Sequence, residues 1–296
     1  MEYRAPVFRT GAAPGGQTIT LDALLSLRIS ASYRAGPSVL HDAAITIQRG
    51  EILGLAGQSG AGKSTMGLAI LGLHRFRQVT VSGYMNFRGR ELLDLPEPQW
   101  RSLRGREIAF VPQSPLASLN PVLTVGAQLN EAWRAHGRGA LTAWRQSLRA
   151  LLEHVCLPPD ERFLALYPRQ LSVGLAQRVL IAMALIHHPA LIVADEPTSA
   201  LDMITQAEIL NLFRRVNREF GAAILYISHD LASMASLAHR IAILERGSIV
   251  EDGPPEQIFG APRHPYTARL VAALPRLGPA LGGQPGLVPQ LCGQEF

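Results

Sequence analysis

Closely spaced glycines, one lysine and two hydroxyl side chains occur together in residues 57–65, GQSGAGKST. Glycine lets the backbone bend tightly and turn several N–H groups toward a single point, where an anion can bind. The spacing matches G-x-x-x-x-G-K-[ST], a loop that holds nucleotide phosphates. Residues 51–56 predict a buried strand before the loop, and residues 66–73 predict a helix after it, whose N-terminus favours an anion. We therefore predict phosphate binding here, rather than a glycine-rich turn without a ligand.

Each residue type in this loop has its own expected part in holding a nucleotide with Mg²⁺. Lys63 is expected to reach the β- and γ-phosphates, as both a binding and a catalytic residue, and the Ser64 hydroxyl is expected to bind Mg²⁺. The predicted nucleotide-binding residues of the loop are Gly57, Ser59, Gly60, Ala61, Gly62, Lys63, Ser64 and Thr65.

Two adjacent carboxylates, Asp195 and Glu196, follow a second apolar segment at residues 191–194. Carboxylates are costly to bury unpaired, and ligands of parallel sheets bind beyond the carboxyl ends of the strands. Because the glycine-rich loop also follows a strand, both segments are expected at one crevice. Asp195 is predicted to hold Mg²⁺, directly or through water, and Glu196 to act as general base on the attacking water. Pro197 disfavours a helical residue before it, so we predict an extended Glu196.

Three further side chains are predicted to reach the same crevice. His229 follows the apolar residues 223–228 and is expected to contact the γ-phosphate as a catalytic residue, although an isolated histidine at a strand end is more often structural. Gln113 follows another short strand and is expected to reach Mg²⁺ or the water; the alternative is a turn residue beside Pro112. Tyr33 is expected to offer a stacking surface for adenine, and the alternative is an aromatic residue of the core.

Alternating strands and helices must position these groups. Strand patterns occur at residues 25–33, 39–48, 81–87, 107–111, 191–194, 223–227 and 240–244. Helical periodicity dominates residues 114–187, with helices expected at 124–136, 141–156 and 170–187. This alternation predicts an α/β fold in which crossover helices connect the strands of a parallel sheet and a helical insert interrupts the core. Residues 1–20, which contain Gly11, Pro14, Gly15 and Gly16, are predicted to form a flexible arm.

Composition and charge restrict the class of protein. The chain of 296 residues is 47% hydrophobic and 17% charged, as expected for a globular protein near the upper size for one core. Its formal charge is +5, but the basic residues are scattered, so we expect a solvated surface and no nucleic-acid partner. Cys156 and Cys292 lie far apart, which suits a reducing compartment and no disulfide framework. The sequence shows no apolar N-terminal signal and no membrane-spanning run, so any work at a membrane would require a partner.

Together these motifs resemble the ATP-binding-cassette ATPases over roughly residues 24–252. By this resemblance, residues 57–65 are Walker A, Gln113 is the glutamine loop, residues 171–178 are the family signature, residues 191–195 are Walker B and residues 199–202 are the D-loop. The resemblance implies a P-loop NTPase fold over residues 21–252, with a mainly parallel central sheet, an N-terminal antiparallel β subdomain and a helical subdomain insert at about residues 114–187. It also implies ATP and Mg²⁺ as cofactors.

Members of this family bind head to tail in pairs, with ATP between one Walker A loop and the signature of the other subunit. The resemblance therefore implies a second ATPase subunit, either a paralogue or a copy of this chain. Ser172 and Gly174 are expected to bind the partner's nucleotide. Val173 stands where the family usually has glycine, and because a β-branched residue restricts the backbone, we expect it to weaken that ATP site.

A narrower resemblance is carried by residues 111–121 and by the tail from residue 253 to residue 270, which are similar to the peptide and nickel importer ATPases. It implies ATP hydrolysis that powers import of peptides or similar small solutes, nickel among them, through separate membrane permeases. The chain would then lie at the cytoplasmic face of the cell membrane, with an extracytoplasmic binding protein as an indirect partner. Residues 253–296 would be the C-terminal extension of this subfamily, although Cys292 alone argues against an iron–sulfur site there.

Two alternatives stay open at the level of the sequence. One is an accessory ATPase of a non-transport enzyme assembly, such as phosphonate breakdown. The other is a cassette protein of DNA repair or translation, which ranks last because the sequence has no tandem cassette, long coiled-coil insertion or zinc-binding cysteines.

Overall fold

The computed structural model describes residues 10–12, 18–20, 23–34, 36–137 and 140–274. The strands are β1 (Thr10–Ala12), β2 (Thr18–Thr20), β3 (Leu25–Tyr33), β4 (Ser38–Ile47), β5 (Ile52–Ala56), β6 (Val79–Phe87), β7 (Arg90–Glu91), β8 (Ile108–Val111), β9 (Leu191–Asp195), β10 (Ala223–Ser228), β11 (Arg240–Glu245) and β12 (Ser248–Gly253). The α-helices are α1 (Lys63–Ile70), α2 (Glu97–Leu103), α3 (Pro115–Ser118), α4 (Val125–Arg134), α5 (Leu141–His154), α6 (Glu161–Leu164), α7 (Val173–Leu185), α8 (Met203–Phe220), α9 (Leu231–Leu237), α10 (Pro255–Gly260) and α11 (Pro265–Ala272). Two short 3₁₀ helices cover His74–Arg77 and Pro168–Gln170.

The central sheet has six strands in the order β12-β11-β5-β10-β9-β8. All neighbouring pairs are parallel except β11 with β12, which confirms the predicted mainly parallel sheet. In the register of the sheet, Ser228 pairs with Ala56 and Ile227 pairs with Asp195. The carboxyl ends of β5, β10 and β9 are therefore level, and the segments that follow them begin at the same edge.

Continuous apolar runs form the inner strands because both faces of the sheet are covered. Along β10, Ile224 and Tyr226 belong to one buried cluster, whereas Leu225 and Ile227 belong to the other. The first cluster contains apolar side chains of α7, α8 and α9, and the second contains those of α1 and of a second sheet. Two apolar cores thus hold the central sheet between them.

The second sheet is antiparallel, in the order β4-β3-β6-β7, and it confirms the predicted antiparallel β subdomain. Burial alternates regularly along β3: Leu25, Leu27 and Ile29 are fully buried, and the residues between them are half-buried. The buried face packs with Met66 of α1 in the same apolar cluster, so this sheet lies directly against the helix that follows the glycine-rich loop.

Five of the helices described above, α3 to α7, lie between β8 and β9 in the sequence, in the region predicted to be mostly helical. Apolar side chains of α4, α5 and α7 join one cluster with the central sheet, and Trp133 stacks on Trp144 with ring centroids 5.2 Å apart. The predicted limits of a helical subdomain at residues 114–187 stay a prediction, as do the other domain boundaries.

The two ends of the chain are described only in part. Within the predicted flexible arm, β1 and β2 pair antiparallel, and the rest of residues 1–20 lies outside the described residues. In the predicted C-terminal extension, α10 and α11 fold back onto the central sheet, and Cys292 lies outside the described residues. None of the helices in the described ranges has both the length and the apolar character needed to cross a bilayer.

Candidate functional site

A cavity of about 800 Å³ lies at the carboxyl edge of the central sheet. It is lined by Tyr33, Val39, Gly57, Gln58, Ser59, Gly60, Gly62, Lys63, Ser64, Thr65, Gln113, Glu196, His229, Leu231 and Leu270. The structure therefore brings the glycine-rich loop together with residues that follow β8, β9 and β10. Asp195 joins the same group through its contact with Ser64.

Lys63 is the first residue of α1 and is only 5% exposed. Its ammonium donates hydrogen bonds to the carbonyl oxygens of Gly57 at 2.7 Å and Gln58 at 3.0 Å, so the side chain folds back over its own loop. Burial lowers the pKa of Lys63, and the nearby carboxylates of Glu196 and Asp195 oppose that shift. A cationic group in this position is suited to meet phosphate oxygens that enter the loop.

Glycine is required at two positions of the loop because other segments of the same chain approach the loop backbone closely. A Cβ at Gly57 would lie 2.3 Å from the carbonyl oxygen of Leu244, and one at Gly62 would lie 2.6 Å from Leu40 Cδ2. Gly62 also has φ 108°, in the region that L side chains rarely adopt. The tight loop thus leaves room at the start of α1 for an anion, as expected for a phosphate cradle.

The residues expected to hold Mg²⁺ present suitable oxygen atoms. Ser64 Oγ donates to Asp195 Oδ1 at 3.3 Å, which places a hydroxyl and a carboxylate side by side at the mouth of the loop. Burial raises the pKa of Asp195; Glu196 adds to that shift, and the hydrogen bond from Ser64 opposes it. Carboxylate, hydroxyl and amide oxygens are hard ligands of the kind that Mg²⁺ prefers, so Ser64, Asp195 and the amide of Gln113 fit the predicted ion.

Glu196 does not have the extended backbone that the sequence predicts. Its φ is 46°, in the left-handed region, so that prediction is wrong. The clash with a following proline disfavours right-handed helical values, but it leaves the left-handed region open. Glu196 N–H still donates to the Ile227 carbonyl at 2.8 Å, and then the chain turns as the N–H and hydroxyl of Ser199 donate to the Glu196 carbonyl. Strained backbone of this kind often marks a functional residue.

Both carboxylate oxygens of Glu196 are in contact with polar side chains from other strand ends. Gln113 Nε2 donates to Oε2 at 2.9 Å, and His229 Nδ1 lies 3.1 Å from Oε1. The Glu196 side chain is 18% exposed, whereas that of His229 is 59% exposed. Three of the four predicted catalytic side chains, Gln113, Glu196 and His229, thus form one connected group at the cavity that Lys63 also lines, and the roles of all four stay a prediction.

Tyr33 also lines the cavity. Its ring is 42% exposed, and its hydroxyl lies 3.2 Å from Thr65 Oγ1. The alternative interpretation as an aromatic residue of the core does not fit this exposure. An exposed ring beside the phosphate loop can offer a stacking surface to a base.

The predicted signature residues lie apart from this cavity, at the N-terminus of α7. Ser172 is exposed and caps the helix, because its hydroxyl accepts a hydrogen bond from Leu175 N–H at 3.2 Å. Val173 begins the helix, where a β-branched residue is tolerated. A Cβ at Gly174 would lie 2.7 Å from Thr205 Cγ2, so glycine is also needed for the close approach of α7 and α8. The sequence did not indicate that second reason.

Sequence reasoning missed two residues of α11, one that contacts the glycine-rich loop and one that lines the cavity. Tyr266 Oη accepts a hydrogen bond from the backbone N–H of Gln58 at 3.0 Å, and Leu270 lines the cavity itself. The tail carries the resemblance to the importer ATPases, but no spacing in it indicates a return to the glycine-rich loop. Gln58 lies at a position where the motif allows any residue type.

The chain is similar to known proteins over most of its length. Residues 40–199 match the family described as ABC transporter, and residues 250–293 match the family described as oligopeptide/dipeptide transporter, C-terminal region. The chain is 41% identical over 263 residues to the dipeptide transport ATP-binding protein DppD of Escherichia coli (strain K12), which covers 88% of this chain and 79% of that protein. It is 41% identical over 249 residues to the glutathione import ATP-binding protein GsiA of Salmonella choleraesuis (strain SC-B67), which covers 82% of this chain and 40% of that protein.

Solved structures show the same fold. The ATP-binding cassette MJ0796 in a dimeric post-hydrolysis state bound to ADP and Pi superposes with a TM-score of 0.66 at 30% identity, covering 78% of this chain and 98% of that one. An ATP-binding subunit of an ABC transporter superposes with a TM-score of 0.67 at 28% identity, covering 84% of this chain and 98% of that one. Fold, site geometry and a family match over more than half of the sequence agree: the chain belongs to the ABC transporter family, whose ATP-binding cassette it contains.

Proposed function

We propose that this chain is the ATP-hydrolysing subunit of an importer for peptides or similar small solutes. The observation that carries the proposal is the convergence of Lys63, Gln113, Glu196 and His229 on one cavity, although they lie far apart in the sequence. The names of the similar proteins, a dipeptide and a glutathione import ATP-binding protein, support the class of solute.

The glycine-rich loop would hold the triphosphate through its backbone N–H groups and through Lys63. Ser64 and Asp195, with Gln113, would hold Mg²⁺, which when bound neutralises charge on the β- and γ-phosphate oxygens. When the nucleotide binds, the Lys63 ammonium would leave the loop carbonyls and donate to phosphate oxygens instead. Hydrogen bonds to an anionic phosphate are stronger than those to a neutral carbonyl. Tyr33 would stack on the adenine.

Glu196 would act as general base by accepting a proton from the water that attacks the γ-phosphorus. Its two oxygens are already oriented by Gln113 and His229, so the carboxylate can be directed into the cavity rather than toward bulk water. His229, which is more exposed than Glu196, is then available to a γ-phosphate oxygen. General-base catalysis of this kind contributes about 10²–10⁴-fold to a rate.

A second subunit would complete the site. Ser172 and Gly174 lie on the exposed end of α7, outside the cavity that holds the other predicted nucleotide-binding residues. Their placement supports a pairing in which the signature of one subunit covers the nucleotide of another, whether the partner is a paralogue or a copy of this chain. The cassette MJ0796, which is similar to this chain, is dimeric in its solved structures.

The membrane partners would contact the segment that follows Gln113. Leu116 is 42% exposed and Val122 is 75% exposed, so this short segment presents apolar side chains next to a residue of the cavity. Exposed apolar side chains of this kind suit a protein contact. We therefore place the permease subunits here, with the chain at the cytoplasmic face of the cell membrane and an extracytoplasmic binding protein as an indirect partner.

Nucleotide binding by the purified chain tests the first part of the proposal. Lys63→Ala is expected to weaken binding of ATP with Mg²⁺ by tenfold or more, because a charged hydrogen bond to phosphate contributes about 1.5–3 kcal/mol. Arg49→Ala is the matched control, since Arg49 is an exposed cation outside the cavity. Equal affinity of the Lys63→Ala chain and the unsubstituted chain would contradict the assignment.

Affinity purification of the chain from its native membrane tests the second part. Copurification of transmembrane subunits and a second ATPase subunit is the expected result. Copurification of soluble lyase subunits without any membrane protein would instead favour a non-transport enzyme assembly.

A further inference from the structure

The peptide unit between Gly57 and Gln58 is held at both of its polar atoms. Its carbonyl oxygen, that of Gly57, accepts from Lys63 Nζ at 2.7 Å, and its N–H, that of Gln58, donates to Tyr266 Oη at 3.0 Å. Tyr266 belongs to α11 in the C-terminal part of the chain, more than 200 residues away in sequence.

The Tyr266 ring has little freedom to move. It is 5% exposed, and the guanidinium of Arg269 lies over it at 5.8 Å from the ring centroid. His264, which caps the same helix, accepts a hydrogen bond from Tyr266 N–H at 3.3 Å. The Tyr266 hydroxyl is therefore held in a fixed position next to the loop. Little side-chain entropy is lost when its hydrogen bond to Gln58 N–H forms.

A second set of contacts joins α11 to the loop through the turn after β11. Arg269 lies 3.6 Å from the carboxylate of Glu245, at the end of β11. Two residues later, Gly247 N–H donates to the carbonyl of Ala61 in the glycine-rich loop at 3.1 Å. The loop is thus supported by α11 directly and by a turn to which α11 is paired.

The same helix borders the nucleotide cavity. Leu270, one turn after Tyr266, lines both the large cavity and a neighbouring one of about 410 Å³ between α11 and the loop. A change in the position of α11 would therefore alter the wall of the cavity as well as the loop peptide.

From these contacts we propose that Tyr266 is a positioning residue for the phosphate-binding loop, and that docking of α11 sets how tightly the chain holds ATP. The inference rests on the proposed nucleotide-binding function. By fixing the peptide between Gly57 and Gln58, the hydroxyl keeps the loop N–H groups directed at the triphosphate before the nucleotide arrives. Preorganisation of this kind raises affinity because less order has to be created on binding.

Tyr266→Phe, which removes the hydroxyl and keeps the ring, tests the proposal. The dissociation constant of ATP with Mg²⁺ is measured by calorimetry on the full chain, with Glu196→Gln present in both proteins to prevent turnover. We expect about three- to tenfold weaker binding, the effect of one hydrogen bond. Tyr84→Phe is the matched control, because Tyr84 lies on β6 and lines neither cavity.

Hydrogen exchange of the nucleotide-free chain gives a second readout that a purely structural role of α11 would not produce. Loss of protection at the Gln58 amide, with the amides of α11 unchanged, is expected for Tyr266→Phe. Unchanged affinity and unchanged Gln58 exchange, beside normal binding by the unsubstituted chain, would overturn the inference. Absence of ATP binding by the unsubstituted chain would instead overturn the proposed function, and the exchange result would still decide whether Tyr266 holds the loop.

Discussion

Gln113 Nε2 donates a hydrogen bond to Glu196 Oε2 at 2.9 Å, across 83 residues of sequence. The amide comes from the end of β8 and the carboxylate from the end of the neighbouring strand β9, so the contact follows directly from the order of the sheet. Because Gln113 is also followed by the exposed apolar segment proposed to meet the permease, one hydrogen bond links the proposed general base to the proposed membrane contact. Movement of that segment would release one oxygen of Glu196.

Lys63 can be followed chemically because it is the only lysine in the sequence. We predict that ATP with Mg²⁺ slows labelling of Lys63 by an amine-selective reagent, since the ammonium would be covered by phosphate. At an ATP concentration about ten times its dissociation constant, the site is free roughly a tenth of the time, so labelling should slow about tenfold. Mass spectrometry of an untagged chain measures it, with the α-amino group as internal control. Equal labelling rates with and without ATP would contradict phosphate contact by Lys63.

Gly174 is predicted to be required for helix packing as well as for the partner's nucleotide. Gly174→Ala should lower the free energy of unfolding by about 1–3 kcal/mol, because the new Cβ would lie 2.7 Å from Thr205 Cγ2. Thr205→Ser removes that methyl group and keeps the hydroxyl that donates to Asp202, so it should recover most of the loss. Denaturant unfolding of the two single variants and the double variant measures the coupling. Additive effects in this cycle would show that the two side chains do not meet.

Val173 is predicted to limit the ATP site that this chain completes for its partner. Val173→Gly should raise ATP turnover of the assembled complex, because glycine allows the backbone beside Ser172 to adapt to a γ-phosphate. The variant should lose only a few tenths of a kcal/mol, roughly 0.3–0.5, of helix stability, the difference in helix propensity between valine and glycine. ATP turnover of the Val173→Gly complex and of the unsubstituted complex is compared at saturating ATP. An unchanged rate would contradict the prediction.

Glu251 is predicted to make the C-terminal helices sensitive to acid. Burial alone would raise the pKa of Glu251, but hydrogen bonds from the N–H groups of Arg263 and His264, at 2.9 Å and 3.0 Å, help to hold that pKa below its ordinary value of 4.5. The stabilisation is therefore present above about pH 4.5 and is lost as the pH falls through the lower pKa of the folded chain.

Glu251→Gln should accordingly lower the free energy of unfolding by about 1–2 kcal/mol at pH 7, with a difference from the unsubstituted chain that shrinks in acid. Thermal unfolding across this pH range measures the difference, with exposed Glu256 replaced by Gln as the control. A difference that stays constant down to pH 3 would exclude the carboxylate as its cause.

Much of the site was predictable because its parts are local motifs at strand ends. The glycine-rich loop, the acid pair, Gln113 and His229 each follow an apolar strand, and a parallel sheet brings such ends to one edge. What the sequence did not show depends on contacts between distant segments. The left-handed φ of Glu196 depends on the turn it shares with Ser199, and the role of Tyr266 depends on how α11 docks. Neither has a spacing or a periodicity that a sequence can display.

The most direct test of the account compares ATP binding with ATP hydrolysis in Glu196→Gln. If Glu196 is the general base at the cavity, the variant should bind ATP with Mg²⁺ as tightly as the unsubstituted chain and should hydrolyse it at least about 100-fold more slowly. Glu131→Gln, at an exposed carboxylate on α4, should change neither quantity. Hydrolysis at the normal rate by the Glu196→Gln complex would contradict the assignment of this cavity as the site of ATP hydrolysis.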